Sequence, residues 1–312
     1  MTGCLPAVCR AAVLFSALLT FGSIAIAQEA PGDPQAIVQQ ARRLNGEGKH
    51  DEAIALYREA LMRSPDLYDA HYGLGIALDL KGTYREARQS FVKAIQLAPD
   101  ESKEQALGAM AVSYAFSGDV REASSFYRQV FDRQMGAENF GAASETANAL
   151  GRVYLETGDL GNAVKWYQTG YETGRRQAGV PGALIDLSDL RWAHAQARIA
   201  ARKGSAATAR AHIAEVKTLL DKGTNDDQRI QYPYLVGYVD LFLKDYAGAV
   251  AELKEANQQD PFVLFLLAQA YEKSGDAARA RDSYRQILAS NAHSLNNAFA
   301  RSVARNKVSS AR

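Results

Sequence analysis

The chain has 312 residues, of which 47% are hydrophobic and 23% are charged, and its formal net charge at pH 7 is +1. This composition is typical of a folded globular protein and excludes a disordered polar chain. The near-zero net charge gives no indication of a nucleic acid or another strongly charged partner.

The first 27 residues have the plan of a secretory signal peptide. Arg10 is the only charged residue before an apolar run over residues 11–24, and the small-x-small triplet Ala25–Ala27 precedes the polar Gln28. The run is short for a membrane span, so we expect cleavage after Ala27 and a periplasmic or secreted protein. An uncleaved membrane anchor is the alternative.

Both cysteines of the chain, Cys4 and Cys9, lie in this leading segment. The mature chain, beginning at Gln28, is therefore expected to contain no disulfide, no thiolate metal site and no cysteine nucleophile. Residues 28–34 (QEAPGDP) are predicted to be a disordered leader.

A repeated pattern of small and aromatic residues occupies most of the remaining chain. Seven alanines mark it: Ala53, Ala87, Ala123, Ala163, Ala209, Ala249 and Ala280. A Gly or Ala stands twelve residues before each of these alanines. A Gly stands five residues before six of them, and Lys244 takes that position in the sixth unit. Internal repetition of this kind predicts a stack of similar structural units.

Each unit is predicted to form two helices with a turn at the glycine that precedes the recurrent alanine by five residues. Glycine ends a helix readily because it adopts a left-handed backbone conformation, and Asp119 and Asp159 follow two of these glycines where they can cap the next helix. Pro65 and Pro99 are expected to stop the second helix of their units. The small residues allow the two helices to cross closely, and an aromatic residue four positions after the alanine fills the space beside the crossing.

The pattern resembles the tetratricopeptide repeat, a helix–turn–helix unit of about 34 residues. The resemblance covers residues 34–292 and implies an all-α fold, a right-handed superhelical solenoid of antiparallel helix pairs with about seven repeats. We expect repeats 1–4 over residues 35–170, an extended helix or loop insertion over residues 171–190, and repeats 5–7 over residues 191–292. The array either bends at the insertion or divides there into two stacks. Residues 293–312 form a C-terminal capping helix or a loose basic tail.

Catalytic patterns are missing from the sequence. No two of the five histidines are three or four residues apart, and no H-E-x-x-H, G-x-S-x-G, phosphate-binding or dinucleotide-binding glycine motif occurs. Most tyrosines fall at repeat core positions, where packing explains them. We therefore predict no enzyme activity, no cofactor and no metal site.

The resemblance implies a concave groove lined mainly by the first helix of each unit. Two rows of candidate groove residues follow from this register, namely Tyr72, Asn148, His194 and Tyr234, and Arg152, Arg198 and Tyr238. In the fifth unit Arg191, His194, Arg198 and Arg202 form one stripe along a helix face. Arginine and tyrosine suit a peptide with carboxylates and apolar side chains. The alternative is a solvated arginine face on a surface helix.

Some members of the family bind an acidic C-terminus through a clamp on their first helices. The comparable surface of the first three units carries Val38, Arg42, Tyr72, Ile76, Gln105 and Gly108, so the clamp is missing. We do not expect binding of that kind of tail.

The predicted function is a non-catalytic protein–protein interaction scaffold in the periplasm or cell envelope, if the source is a Gram-negative bacterium. It would bind a peptide or protein segment in the groove, with no nucleic-acid partner and no membrane span after signal cleavage. The alternatives are a structural self-assembling repeat protein, and an accessory subunit or domain of an envelope enzyme complex.

Overall fold

The computed structural model describes residues 32–176 and 179–310. The predicted signal peptide, residues 1–27, and most of the predicted leader lie outside the described residues. None of the helices in these two ranges is long and apolar enough to cross a membrane.

The described residues form fifteen α-helices and one 3₁₀ helix, without a strand among them, which confirms the all-α prediction. The helices are α1 (Pro34–Gly46), α2 (His50–Arg63), α3 (Tyr68–Lys81), α4 (Tyr84–Leu97), α5 (Asp100–Phe116), α6 (Val120–Gly136), α7 (Phe140–Thr157), α8 (Leu160–Gly174), α9 (Gly182–Arg202), α10 (Ala206–Asp221), the 3₁₀ helix (Asp226–Gln231), α11 (Tyr232–Phe242), α12 (Tyr246–Glu255), α13 (Pro261–Lys273), α14 (Ala277–Leu288) and α15 (Leu295–Ser309). The first fourteen α-helices make seven consecutive pairs, and α15 follows them.

The seven recurrent alanines all lie in the core, where Ala280 is 2% exposed and the other six are fully buried. The structure gives a more specific reason for the glycines of the first helices. A Cβ atom added to Gly75 would lie 2.6 Å from the Phe91 ring, and one added to Gly237 would lie 2.6 Å from the Leu253 side chain. These glycines therefore make room for the large side chain that follows the alanine of the same pair by four residues.

The turns between the two helices of a pair contain the left-handed glycines and the capping aspartates that the sequence predicts. Six glycines have a left-handed backbone, with φ between 73° and 93°: Gly48, Gly82, Gly118, Gly158, Gly204 and Gly275. Asp119 caps α6 by accepting the Glu122 backbone N–H at 3.2 Å, and Asp159 caps α8 in the same way. Helices α2 and α4 end two residues before Pro65 and Pro99, as expected.

Lys244 takes the left-handed position in the sixth pair, with φ of 69°. A side chain costs about 1 kcal/mol in this conformation relative to glycine, because its Cβ crowds the backbone. We expect Lys244→Gly to raise the free energy of unfolding by about 1 kcal/mol. Urea unfolding followed by circular dichroism measures it. The matched control is Gly275→Lys, which should lower stability because the lysine would have to adopt the left-handed backbone of Gly275, with φ of 87°. The space around the missing Cβ of Gly275 is open, so a steric clash would not contribute to the loss. A loss of stability in Lys244→Gly would contradict this account.

The stretch predicted as an insertion, residues 171–190, is mostly helical. Helix α8 continues to Gly174 and the 21-residue helix α9 begins at Gly182. Ala195 and Ile199 of α9 pack in one core cluster with Leu150 and Tyr167 of the fourth pair. The fifth pair therefore packs directly on the fourth, and the extra sequence length goes into the longer helix α9 and the connection that precedes it.

The C-terminal segment forms a helix, α15, which covers the last pair and also contacts other parts of the array. It packs on α13 and α14 and also on α5 of the third pair. His293 Nε2 lies 2.8 Å from Asp79 Oδ2, and Asn291 Nδ2 donates to the Gly46 carbonyl at 2.9 Å. The segment thus joins the last pair to the first three, and the array closes on itself.

Arg301 of α15 holds this closure by binding backbone carbonyl groups at the end of α3 and at the end of the adjacent α14. Its guanidinium donates from Nε to the Leu80 carbonyl at 3.1 Å, and from Nη1 to the Leu288 and Ser290 carbonyls at 3.0 and 2.8 Å. The side chain is 6% exposed. These bonds satisfy carbonyl groups at the ends of α3 and α14 that have no partner within their helices.

Candidate functional site

A cavity of about 610 Å³ lies between the first helices of the fourth, fifth and sixth pairs and the start of α15. Its walls come from seven α-helices and the 3₁₀ helix, which supply Val112, Tyr127, Glu145, Asn148, Ala149, Arg152, Tyr167, Leu190, Arg191, His194, Arg198, Gln228, Gln231, Tyr234 and Leu295, with Ser294 and Asn296 beside the last of these. The volume is within the range that small-ligand sites occupy.

Six of the nine predicted groove residues line this cavity. Asn148 and Arg152 come from α7, Tyr234 from α11, and Arg191, His194 and Arg198 from α9. Their sequence spacing explains the arrangement, because residues three and four apart on α9 share one face and the equivalent helices of adjacent pairs lie side by side. The ligand-binding role of these residues remains a prediction.

The two inner arginines of the cavity bind to aromatic and amide groups. Arg198 is 6% exposed, donates from Nη2 to the Tyr167 hydroxyl at 3.0 Å, and lies with its guanidinium carbon 5.4 Å from the Tyr167 ring centre. Arg152 donates to Asn296 of α15, and its guanidinium carbon lies 4.6 Å from the Phe262 ring centre. Neither arginine forms an ion pair within the described residues. The alternative of a solvated arginine face is therefore wrong for Arg198.

Three carboxylates lie at the edges of this arginine cluster. Glu145 pairs with Arg191 at 3.3 Å near the solvent, and Glu156 pairs with Arg202 at 3.5 Å with its side chain 7% exposed. Burial raises the pKa of the Glu156 carboxyl, and the positive charges of the neighbouring arginines act in the opposite direction. Asp260 accepts from Asn296 Nδ2 and also caps α13.

His194 stacks on Tyr234, with ring centres 5.7 Å apart. Burial lowers the pKa of His194 well below its ordinary value, and the charges of Arg198 and Arg152 lower it further. The imidazole is therefore neutral at pH 7. It offers the cavity one donor or one acceptor, depending on its tautomer.

Four buried polar atoms at the cavity have no hydrogen-bond partner among the described residues. They are Nε of Arg152, Nε of Arg198, Nε2 of His194 and the hydroxyl of Tyr234. Buried polar atoms in native proteins nearly always have a partner, in the protein or in bound molecules. The grouping of these four atoms around one cavity indicates that the cavity accommodates polar groups from outside the chain.

The other three predicted groove residues lie elsewhere. Tyr72 lines a separate cavity of about 250 Å³ near the first pair. Tyr238 is fully buried, with its hydroxyl 3.4 Å from Glu156 Oε2, so its predicted position in an open groove is wrong. Arg202 is engaged by Glu156 and lies 4.6 Å from the centre of the Phe242 ring. Arg198 and Tyr234 are 6% and 8% exposed, so they line the cavity as buried groups and not as an exposed groove surface.

Several lining residues were not identified from the sequence as part of a site. Tyr127 and Tyr167 occupy the recurrent aromatic position, and they line the cavity in addition to their packing role. Nothing local to Asn296 indicates that it contacts Arg152, since 143 residues separate them along the chain. Within the described ranges there is no cluster of three or more histidine, cysteine or acidic residues arranged to hold a metal ion.

Tetratricopeptide-repeat family models match the chain at residues 38–102, 109–179 and 262–294. These segments together make up more than half of the sequence. A search of curated protein sequences gives no significant match.

Among solved structures, a tetratricopeptide repeat protein from Parabacteroides merdae ATCC 43184 is similar with a TM-score of 0.51 and 13% sequence identity, over 81% of this chain and 91% of that chain. Pseudomonas aeruginosa pilF has a TM-score of 0.45 at 17% identity, over 71% and 89%. The repeats of a putative kinesin light chain from Podosopora anserina have a TM-score of 0.48 at 18% identity, over 61% and 95%. The first of these shows the shared fold, a solenoid of helix pairs.

Proposed function

Because the chain belongs to the tetratricopeptide repeat family, whose members are generally non-catalytic scaffolds for protein partners, we propose that it is an exported interaction scaffold of the periplasm or cell envelope. In this proposal it holds a peptide or protein segment on the inner face of the array, at the rim of the cavity. The observation that carries the proposal is the rim of this cavity, where the paired side chains of Glu145 and Arg191 are exposed on the inner face of the array.

The rim offers both charged and apolar groups to a protein partner. The side chain of Glu145 is 67% exposed and that of Arg191 is 36% exposed, while Gln231 beside them is also exposed. Leu184 and Ile230 are two large apolar residues with exposures of 51% and 57%. They belong to segments linked near the rim, where Asn225 Nδ2 donates to the Ala183 carbonyl at 3.0 Å. Apolar side chains bordered by polar groups are typical of surfaces that bind proteins.

Export is supported by the leading segment of the sequence. An apolar run ends at a small-x-small triplet before Gln28, and the predicted mature chain contains no cysteine. The intact mass of the protein recovered from the envelope fraction measures the cleavage site. A mass that begins at Gln28 supports export, and a full-length chain in the cytosolic fraction contradicts it.

Site-directed photocrosslinking in the native cells tests the interaction. A benzophenone amino acid at Gln231 is expected to give a discrete crosslinked product, because this exposed position borders the cavity. The matched control places the same amino acid at Val92, which is 46% exposed on α4, away from the cavity. Equal products from both positions, or no product from Gln231, would contradict the proposed docking surface.

A further inference from the structure

The inner part of the cavity is lined by buried side chains, among them Arg198 and Tyr234. Ser294, Leu295 and Asn296 at the start of α15 form one wall, and helices α5 to α9, the 3₁₀ helix and α11 form the others. The cavity has the size of a small-molecule site and is open to solvent on one side.

The charges around the interior favour an anion. Arg152 and Arg198 line it and form no ion pair among the described residues. Arg191 is paired with Glu145, and Arg202, outside the lining, is paired with Glu156. Asp260 lies at the edge, where it accepts from Asn296. Asp260 is already engaged, since it accepts the Phe262 backbone N–H at 2.8 Å at the N-terminus of α13. An unpaired positive charge in a protein interior raises the free energy of the folded state unless an anion accompanies it.

The partnerless atoms show where such an anion would bind. Arg198 and Tyr234 are 6% and 8% exposed, both line the cavity, and the Arg198 Nε and the Tyr234 hydroxyl lack partners among the described residues. Arg152 Nε and His194 Nε2 add two more groups of the same kind. An arginine edge that still has a free N–H group suits a carboxylate oxygen, because the charged hydrogen bond is strong and directional.

Part of the lining is aromatic and apolar. The rings of Tyr127 and Tyr167 and the side chains of Val112, Leu190 and Leu295 face the same space. Such walls favour a ligand with a flat or apolar body next to its charged group. We propose that this cavity binds a small organic carboxylate, whose charged end is held by Arg152 and Arg198 and whose body lies against the tyrosines.

This binding goes beyond the docking of a protein segment at the rim, and neither depends on the other. A failure of the crosslinking experiment leaves the carboxylate site intact, and a failure of carboxylate binding leaves the rim available to a protein.

Isothermal titration calorimetry on the chain from Gln28 onward, with isophthalate as the probe, tests the proposal. This aromatic dicarboxylate is expected to bind and to raise Tm, whereas the neutral isophthalamide of the same shape is not. Arg198→Met should weaken isophthalate binding by about tenfold or more, because it removes a charged donor. Arg121→Met is the matched control, since Arg121 has an 89% exposed side chain away from the cavity.

A second variant tests the site independently, in case Arg198→Met does not fold. Ala149→Phe places a ring in the cavity without removing a charge, and it should abolish isophthalate binding while circular dichroism shows a folded protein. Binding of isophthalate that is unchanged in Ala149→Phe would overturn the proposal. Equal affinity for isophthalamide, or no binding of isophthalate by the wild-type chain at millimolar concentration, would overturn it as well.

Discussion

Arg301→Met is expected to lower the free energy of unfolding by about 2 kcal/mol, because the Leu288 carbonyl loses its donor. The Leu80 and Ser290 carbonyls each lose one of two donors and keep only Arg305 and Asn297, respectively. Methionine has a similar length and fills the same space, so the effect reports the lost hydrogen bonds. The carbonyls of Leu80 and Leu288 lie at the ends of α3 and α14, where the helices provide no replacement. Urea unfolding followed by circular dichroism measures the loss.

The matched control is Arg285→Met on α14. Arg285 has a 60% exposed side chain and, among the described residues, pairs only with Asp282 at 3.2 Å, so its replacement should change stability by about 0.5 kcal/mol or less. Small-angle X-ray scattering adds a structural readout, since a loosened α15 would increase the radius of gyration. Equal losses in the two variants would show that Arg301 does not hold the closure.

Ala87→Leu is expected to cost about 1–3 kcal/mol, because it inserts a branched side chain into the closest part of a helix pair. Ala87 is fully buried in α4, beside the contact between Gly75 and the Phe91 ring. The surrounding helices cannot move apart without losing contacts that the neighbouring pairs also share. Thermal unfolding, read as a fall in Tm, measures the cost.

Ala278→Leu is the control for this substitution. Ala278 is exposed on α14, two residues before the buried Ala280, so the same change should alter stability by about 0.5 kcal/mol or less. A neutral Ala87→Leu would mean that the recurrent alanine is not at the helix crossing. The register of all seven pairs would then need revision.

Part of the candidate site could be predicted from helical spacing. Arg191, His194 and Arg198 were expected to share a face of one helix, and all three line the cavity. Their burial could not be predicted in the same way, because it depends on how closely the first helices of adjacent pairs approach. Arg198 is 6% exposed, whereas one of the two predictions from the sequence placed it in solvent, and Tyr238 is fully buried.

The amino-acid sequence by itself determined the helix pairs, their turns and their order. Alanine, glycine and aromatic residues recur at fixed spacings, and each signal acts within one pair, as Gly75 and Phe91 illustrate. The closure of the array and the cavity beside α15 were decided only by the tertiary structure. They depend on contacts such as His293 with Asp79 and Asn296 with Arg152, which join residues far apart in the chain. No local periodicity encodes such contacts, because they follow from the accumulated curvature of seven packed pairs, which brings α15 against helices near the beginning of the array.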